Sequence, residues 1–174
     1  MGTGFDRTIT AEIVIPANVH GVWQAWTSEA GVLSFFAPAC RIDPRPGGAY
    51  EMFFDLEAEP GKRGDEGMIF LALQEPRMLS FTWNAPPELP EVRDQMTHVT
   101  VWLEPLDDHR TRVSLRHDGW GVGGQWEQAV EYFQRAWQKV VLPRLKYRFT
   151  VGPVDWEDRP SLEELERLSG EAND

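Results

Sequence analysis

Between about Gly124 and Tyr147 the chain carries Trp126, Val130, Phe133, Trp137, Val140 and Val141 at steps of four and three. That spacing puts six large apolar side chains on one stripe of a single long helix. Glu127, Glu131, Gln134, Gln138 and Lys139 fall elsewhere on the same helix and suit water. A helix of this kind draws most of its stability from burying its stripe, so the remainder of the chain has to supply a surface for it. Pro143 has no N–H to donate, which predicts a kink one turn before it.

The preceding residues supply a sheet. Thr8 to Ile15 alternates apolar and polar residues as a half-buried strand does, and Pro16 ends it. Asn18 is placed to cap a helix carrying Val19, Val22, Trp23 and Trp26, and Ser28 to cap a second with Val32, Leu33, Phe35 and Phe36. Further strands are predicted at Cys40–Asp43, Ala49–Leu56, Met68–Gln74, Met78–Trp83, Thr97–Leu106 and Thr111–His117. They are separated by short polar turns such as Pro44-Arg45-Pro46-Gly47-Gly48 and Asp107-Asp108-His109-Arg110. Asn84 to Asp94, with three prolines, reads as a loop. Consecutive strands joined by short turns make an antiparallel sheet, so the expected class is α+β, with the long helix laid across a curved sheet.

The chain has 174 residues, a length suited to one domain with one core. The expected division is one domain over residues 1–152 and an acidic tail over 153–174. The tail has one weak helical stripe of Leu162, Leu165 and Leu168 and too few apolar residues for a core of its own. Its removal is therefore expected to leave the domain folded unless Trp156 is docked. The net charge of −11 argues against nucleic acid and anionic membrane surfaces as partners. No apolar run reaches transmembrane length, the N-terminus lacks a signal-peptide core, and Asp6 spoils a myristoylation signal at Gly2. Cys40 is the single cysteine, which precludes an internal disulfide and fits a cytoplasmic location. It reads as a small, half-buried apolar residue.

Taken together, several segments resemble a known family. Ile15-Pro16-Ala17 stands before Val22-Trp23-Gln24-Ala25-Trp26-Thr27. Asp43-Pro44-Arg45-Pro46-Gly47-Gly48, Glu75-Pro76-Arg77-Met78-Leu79-Ser80-Phe81-Thr82-Trp83 and Leu115-Arg116-His117-Asp118-Gly119-Trp120 follow, and then the stretch from Trp126 to Trp137. In order and spacing these are similar to the heat-shock-protein-90 ATPase activator-like family of the START-like (SRPBCC) superfamily, over about Ile9 to Tyr147. The resemblance implies a helix-grip fold: a curved antiparallel sheet, two short helices, and a long C-terminal helix packed across it. It also implies a chaperone partner and a stress-response role as one option, but no catalytic mechanism. The chain departs from the pattern at Phe35-Phe36, where the family often has a tryptophan before its proline.

The period of two along each strand assigns a wall between sheet and helix. Tyr50, Met52, Phe54, Ile69, Leu71, Phe81, Trp83, Val99 and Val101 are placed on the inner face, with Trp126, Phe133 and Trp137 above them. Eight tryptophans and nine phenylalanines are a heavy aromatic load, and such walls line ligand pockets as well as cores. His117 shares the inner face with Val113 and Leu115 and is placed near Trp120 at the mouth of the gap. Two roles are open to it: a polar anchor or general base, or a histidine satisfied by a loop carbonyl.

His20, His98, His109 and His117 are not clustered as metal ligands would be, and neither a metal nor another cofactor is expected. The leading expectation is a small apolar or aromatic ligand held in the cavity. A cyclase- or hydrolase-like enzyme using the same cavity and a chaperone-regulating interaction protein are the alternatives. Trp102 points to the opposite face of the sheet, where a homodimer contact or cover from the tail is expected.

Overall fold

A computed structural model describes residues 7–170. Gly2 and Asp6, on which the myristoylation argument turns, lie outside the described residues. Strand β1 (Ile9–Ile15) leads into helices α1 (Val19–Thr27) and α2 (Glu29–Leu33). Asn18 and Ser28 cap them, their side-chain oxygens accepting from the N–H groups of His20 and Gly31. Strands β2 (Ala39–Ile42), β3 (Tyr50–Phe53), β4 (Phe70–Gln74) and β5 (Met78–Trp83) follow. A single helical turn, α3 (Pro90–Arg93), lies inside the proline-rich segment that the sequence marks as loop. Strands β6 (Thr97–Asp107) and β7 (Arg110–Asp118) complete the antiparallel pairing.

The strands form a five-stranded sheet in the order β1-β7-β6-β5-β4 and a separate pair β2-β3. Isolated bridges between Ala49 and Ile69 and between Phe53 and Gly64 tie the pair to the sheet's far edge. The long helix then crosses the inner face in three pieces: α4 (Trp126–Arg135), a π-helical turn (Ala136–Val141) and α5 (Leu142–Thr150). Where a kink is expected before Pro143, the helix takes a π turn, in which the Leu142 N–H reaches back five residues to the Trp137 carbonyl. This is the helix-grip fold, with one core holding residues of β1, α1, the sheet and the long helix.

One face assignment is overturned. Leu71 is 43% exposed and Ile69 only half-buried, while Met68 and Phe70 are buried instead. The run Met68-Ile69-Phe70-Leu71-Ala72-Leu73 is apolar at both parities, so a period of two cannot choose a face there. The pairing with β5 also shifts between Phe70 and Ala72, so that Leu73 returns to the core side opposite Leu79.

The tail packs on the domain. The Val154 N–H donates to the Ser34 carbonyl (2.9 Å), and the Trp156 indole N–H donates to the Leu33 carbonyl (2.7 Å). The guanidinium groups of Arg144 and Arg159 each stand 5.2 Å from the Trp156 ring centre. Helix α6 (Leu162–Gly170) lies along α5 and the π turn with Leu165 and Leu168 buried. Trp156 docks on Leu33 and does not cover Trp102, which stays 44% exposed in a hollow that Ser169 of the tail also lines.

Candidate functional site

An open cleft runs beside the long helix. A cavity of about 830 Å³ lies between the long helix, the loop after β3, the proline-rich segment after β5, and the tail. Its apolar floor is Phe36, Trp83, Phe133 and Trp137, with Phe54, Val140 and Val141 at the sides. The rings of Phe36, Trp83 and Trp137 are mutually 5.8–5.9 Å apart at tilted or edge-on angles. Such tilted and edge-on contacts are the favoured geometries of aromatic pairs.

Two polar side chains are sunk into the same lining. Asp65 is 4% exposed and Asn84 is 6% exposed. Oδ2 of Asp65 and Oδ1 of Asn84 have no hydrogen-bond partner. Their positions are fixed from below. The Asp65 N–H donates to the Met52 carbonyl (2.8 Å), and a Cβ on Gly64 would collide with that same carbonyl oxygen, so the loop can run this close to β3 only with glycine there. Asn84 Nδ2 donates to the Gly64 carbonyl (3.4 Å), which sets the amide with its oxygen free. Arg93 clamps the segment, donating to the carbonyls of Gly61 (2.8 Å), Gly64 (2.7 Å) and Ala85.

Burial pushes the Asp65 carboxyl well above the ordinary carboxylate range; Arg93 pulls it down and Glu66 adds to the rise. The unfolded chain releases this proton near pH 4, about the ordinary aspartate value, while the folded chain keeps it to higher pH. Stability from this group is therefore lost as pH rises above about 4. Asp65→Asn, neutral at every pH, is expected to raise the melting temperature at pH 7–8 by a few degrees, with the gain shrinking toward pH 4. Melting curves of both proteins across that range check it; parallel curves would contradict a raised carboxyl.

The rim is charged. Lys62, Arg63, Arg135, Arg144 and Arg159 stand on it with Asp55, Glu88 and Glu131. Burial and the neighbouring Arg159 lower the Arg144 guanidinium to about 10. Tyr132, half exposed, also lines the cavity, its hydroxyl raised by burial and by the carboxylates of Asp65 and Glu88.

Of the residues assigned from sequence, Phe54, Trp83, Phe133 and Trp137 line this cavity. Tyr50, Met52, Phe81, Val99 and Val101 are buried in the packed core, with the Tyr50 hydroxyl donating to the Trp26 carbonyl (2.7 Å). Ile69 and Leu71 belong to neither group.

His117, Trp120 and Trp126 form a separate buried cluster near the start of α4. His117 is thus not at a mouth. Its Nδ1 accepts from the Trp137 indole N–H (3.0 Å), which leaves the proton on Nε2, 2.6 Å from the Thr97 hydroxyl. Burial, and less so His98, holds it well below its ordinary range, hence neutral. Both ring nitrogens are satisfied, by a tryptophan and a threonine, with no loop carbonyl involved.

Sequence reasoning did not place Asp65, Asn84, Phe36, Arg144 or the tail residues Arg159 and Leu162 at the site. Asp65 sits in a polar, glycine-containing loop where a buried carboxylate leaves no signature.

A profile of the family described as activator of Hsp90 ATPase homolog 1-like protein matches residues 16–149. The chain belongs to this family. Helix α6 and the docked Trp156 lie beyond the matched segment. Among solved structures, CalU16 from Micromonospora echinospora is 22% identical with a TM-score of 0.63, covering 95% of this chain and 83% of that one. The Aha1 dimer from Colwellia psychrerythraea is 18% identical with a TM-score of 0.62, over 84% and 98%. PFC0360w, an HSP90 activator from Plasmodium falciparum, is 15% identical with a TM-score of 0.61, over 84% and 96%. At these identities the likeness establishes the fold. No curated protein sequence matches the chain.

Proposed function

We propose that this family member binds a small, largely aromatic molecule in the cavity between its sheet and its long helix. The observation that carries the reading is an aromatic floor combined with buried polar atoms of Asp65, Asn84 and Arg144 that lack hydrogen-bond partners. The volume supports it, since small-molecule sites enclose about 300–1,000 Å³ and set a few polar groups in an apolar lining. Phe54, Trp83, Phe133 and Trp137 would contact the ligand, with Phe36 beneath it. Tyr50, Met52, Phe81, Val99 and Val101 would support that wall from the core.

A second reading, an enzyme of cyclase or hydrolase type, is favoured by one observation: Asp65 and Tyr132 are two titratable groups on one lining. Turnover of a bound molecule, lost in Asp65→Asn and retained in a rim variant, would separate catalysis from binding. For Trp102 the proposal is contact with a second copy, in line with the dimer described for the Colwellia relative.

The binding reading is tested through Phe133. Its ring packs on His117 and Trp120 from one side and faces the cavity from the other. Phe133→Ala is expected to cost less than the roughly 3–5 kcal/mol of a fully enclosed phenylalanine, because the space it leaves joins one already open. It is also expected to change the affinity for an environment-sensitive apolar dye that binds the wild type saturably. A full core-sized loss, with no saturable binding in the wild type, would remove the reading.

A further inference from the structure

We propose that the cavity is built for a hydroxyl-bearing aromatic molecule, with its hydroxyl seated between Asp65 and Asn84 and its ring on Trp83, Trp137 and Phe36. The proposal rests on the ligand-binding reading above and specifies its chemistry. Asn84 hydrogen-bonds the carbonyl of Gly64, the residue before Asp65, so the two residues are neighbours in the lining; their free oxygens lie just beneath its surface, and a ligand hydroxyl would meet them after a small side-chain rotation toward the cavity. Each is more than nine-tenths buried and each keeps one oxygen without a partner. An unpartnered buried polar atom is costly, and a native fold retains one mainly where something else completes it.

The missing partner can be described from the two atoms. Because Asn84 Nδ2 is committed to the backbone, Oδ1 is the free atom, and an amide oxygen only accepts. It therefore calls for a donor. Burial favours the protonated Asp65 carboxyl, and when it holds its proton it offers an O–H and calls for an acceptor. Arg93 and Glu66 are the charged groups beside it; Arg93 spends its donors on the Gly61, Gly64 and Ala85 carbonyls, and its closest approach to Glu66 is 3.5 Å. The simplest single group that donates to one neighbour and accepts from the other is a hydroxyl. An anionic carboxylate could not donate to Asn84, and a hydrocarbon would leave both atoms unpaired. The surrounding floor is aromatic, so the hydroxyl belongs on a flat, apolar body.

The test compares 2-naphthol with 2-methylnaphthalene, which has the same shape with a methyl group in place of the hydroxyl. Both are titrated into the full chain at neutral pH, with tryptophan fluorescence as the readout. The wild type is expected to bind 2-naphthol about tenfold more tightly, the scale of one to two well-made hydrogen bonds. Asp65→Asn retains a donor and is expected to keep the preference. Asp65→Leu and Asn84→Leu are expected to lose it while still binding 2-methylnaphthalene. If a leucine variant fails to fold, the wild-type comparison and Asp65→Asn decide.

Equal binding of both probes by the wild type would mean that the orphan atoms are met by water alone; the hydroxyl seat would fall and the cavity reading would stand. Tighter binding of 2-naphthoate than of 2-naphthol would place the polar group on the arginine rim and would equally overturn the seat. Failure of every probe to bind would remove both readings together.

Discussion

Replacing Phe36 by alanine is expected to cost about 3–5 kcal/mol, the range for truncating an enclosed aromatic side chain. Phe36 is buried and makes ring contacts with Trp26, Phe35, Phe54, Trp83 and Trp137. It joins the helical pair α1–α2 to the sheet through Trp83 and to the long helix through Trp137. Its loss leaves a void bounded by rings that cannot collapse into it without breaking their own edge-on packing. Because the same ring forms part of the cavity floor, ligand or dye binding should weaken with it. Chemical denaturation of wild type and Phe36→Ala measures the first effect. A loss under about 1.5 kcal/mol, the cost of a tolerated swap, would show that the ring is not the hub its contacts imply.

Truncation after Pro153 is expected to lower the melting temperature by about 6 °C or more. Leu165 and Leu168 are buried, and each is worth roughly 1.5–3 kcal/mol when enclosed. A loss of about 3 kcal/mol in a chain of this size corresponds to a shift of about 2–4 °C per kcal/mol. The truncation also removes Trp156 and its hydrogen bond to Leu33, exposes Arg144, and takes Arg159 and Leu162 from the cavity rim. Thermal unfolding of the truncated protein checks it. A shift within about 2 °C would mean that the docked tail contributes little, as an acidic appendage without a core of its own would.

The fold was legible because its strongest signals are periodic. The stripe from Trp126 to Val141, the alternation of Ile9, Ala11, Ile13 and Ile15, and the caps Asn18 and Ser28 each depend on local spacing, and each produced its element. The separation of β2-β3 from the main sheet was not legible, because the pair meets the sheet's edge through isolated bridges at Ala49 and Phe53 instead of a continuous ladder, and local alternation does not distinguish the two. The face of β4 failed for a different reason: six consecutive apolar residues carry no parity.

The candidate site was half legible. Aromatic residues on the inner faces could be found by alternation, but not which of them border open space and which pack solid. That depends on how closely the helix approaches the sheet, which no local spacing reports. Asp65 and Asn84 could not be found at all. Their significance lies in missing partners, and a missing partner is a property of the whole fold. His117 drew attention because a histidine on an apolar face is unusual, yet the indole of Trp137 and the hydroxyl of Thr97, each twenty residues away along the chain, satisfy its two ring nitrogens.

The central claim, an open cavity that holds a small aromatic molecule, is tested most directly by filling it. Ala136 lies on the lining at the start of the π turn and is half-buried. A tryptophan there would occupy the space above Trp137 while leaving Asp65, Asn84 and the sheet untouched. The measurement is the titration of an environment-sensitive apolar dye into wild type and Ala136→Trp, with melting curves of both. Saturable one-to-one binding is expected in the wild type, with at least tenfold weaker binding in Ala136→Trp by loss of most of the contact area, and little change in melting temperature. Equal dye binding in the two proteins, or a tryptophan that unfolds the domain because no room exists for it, would contradict the claim.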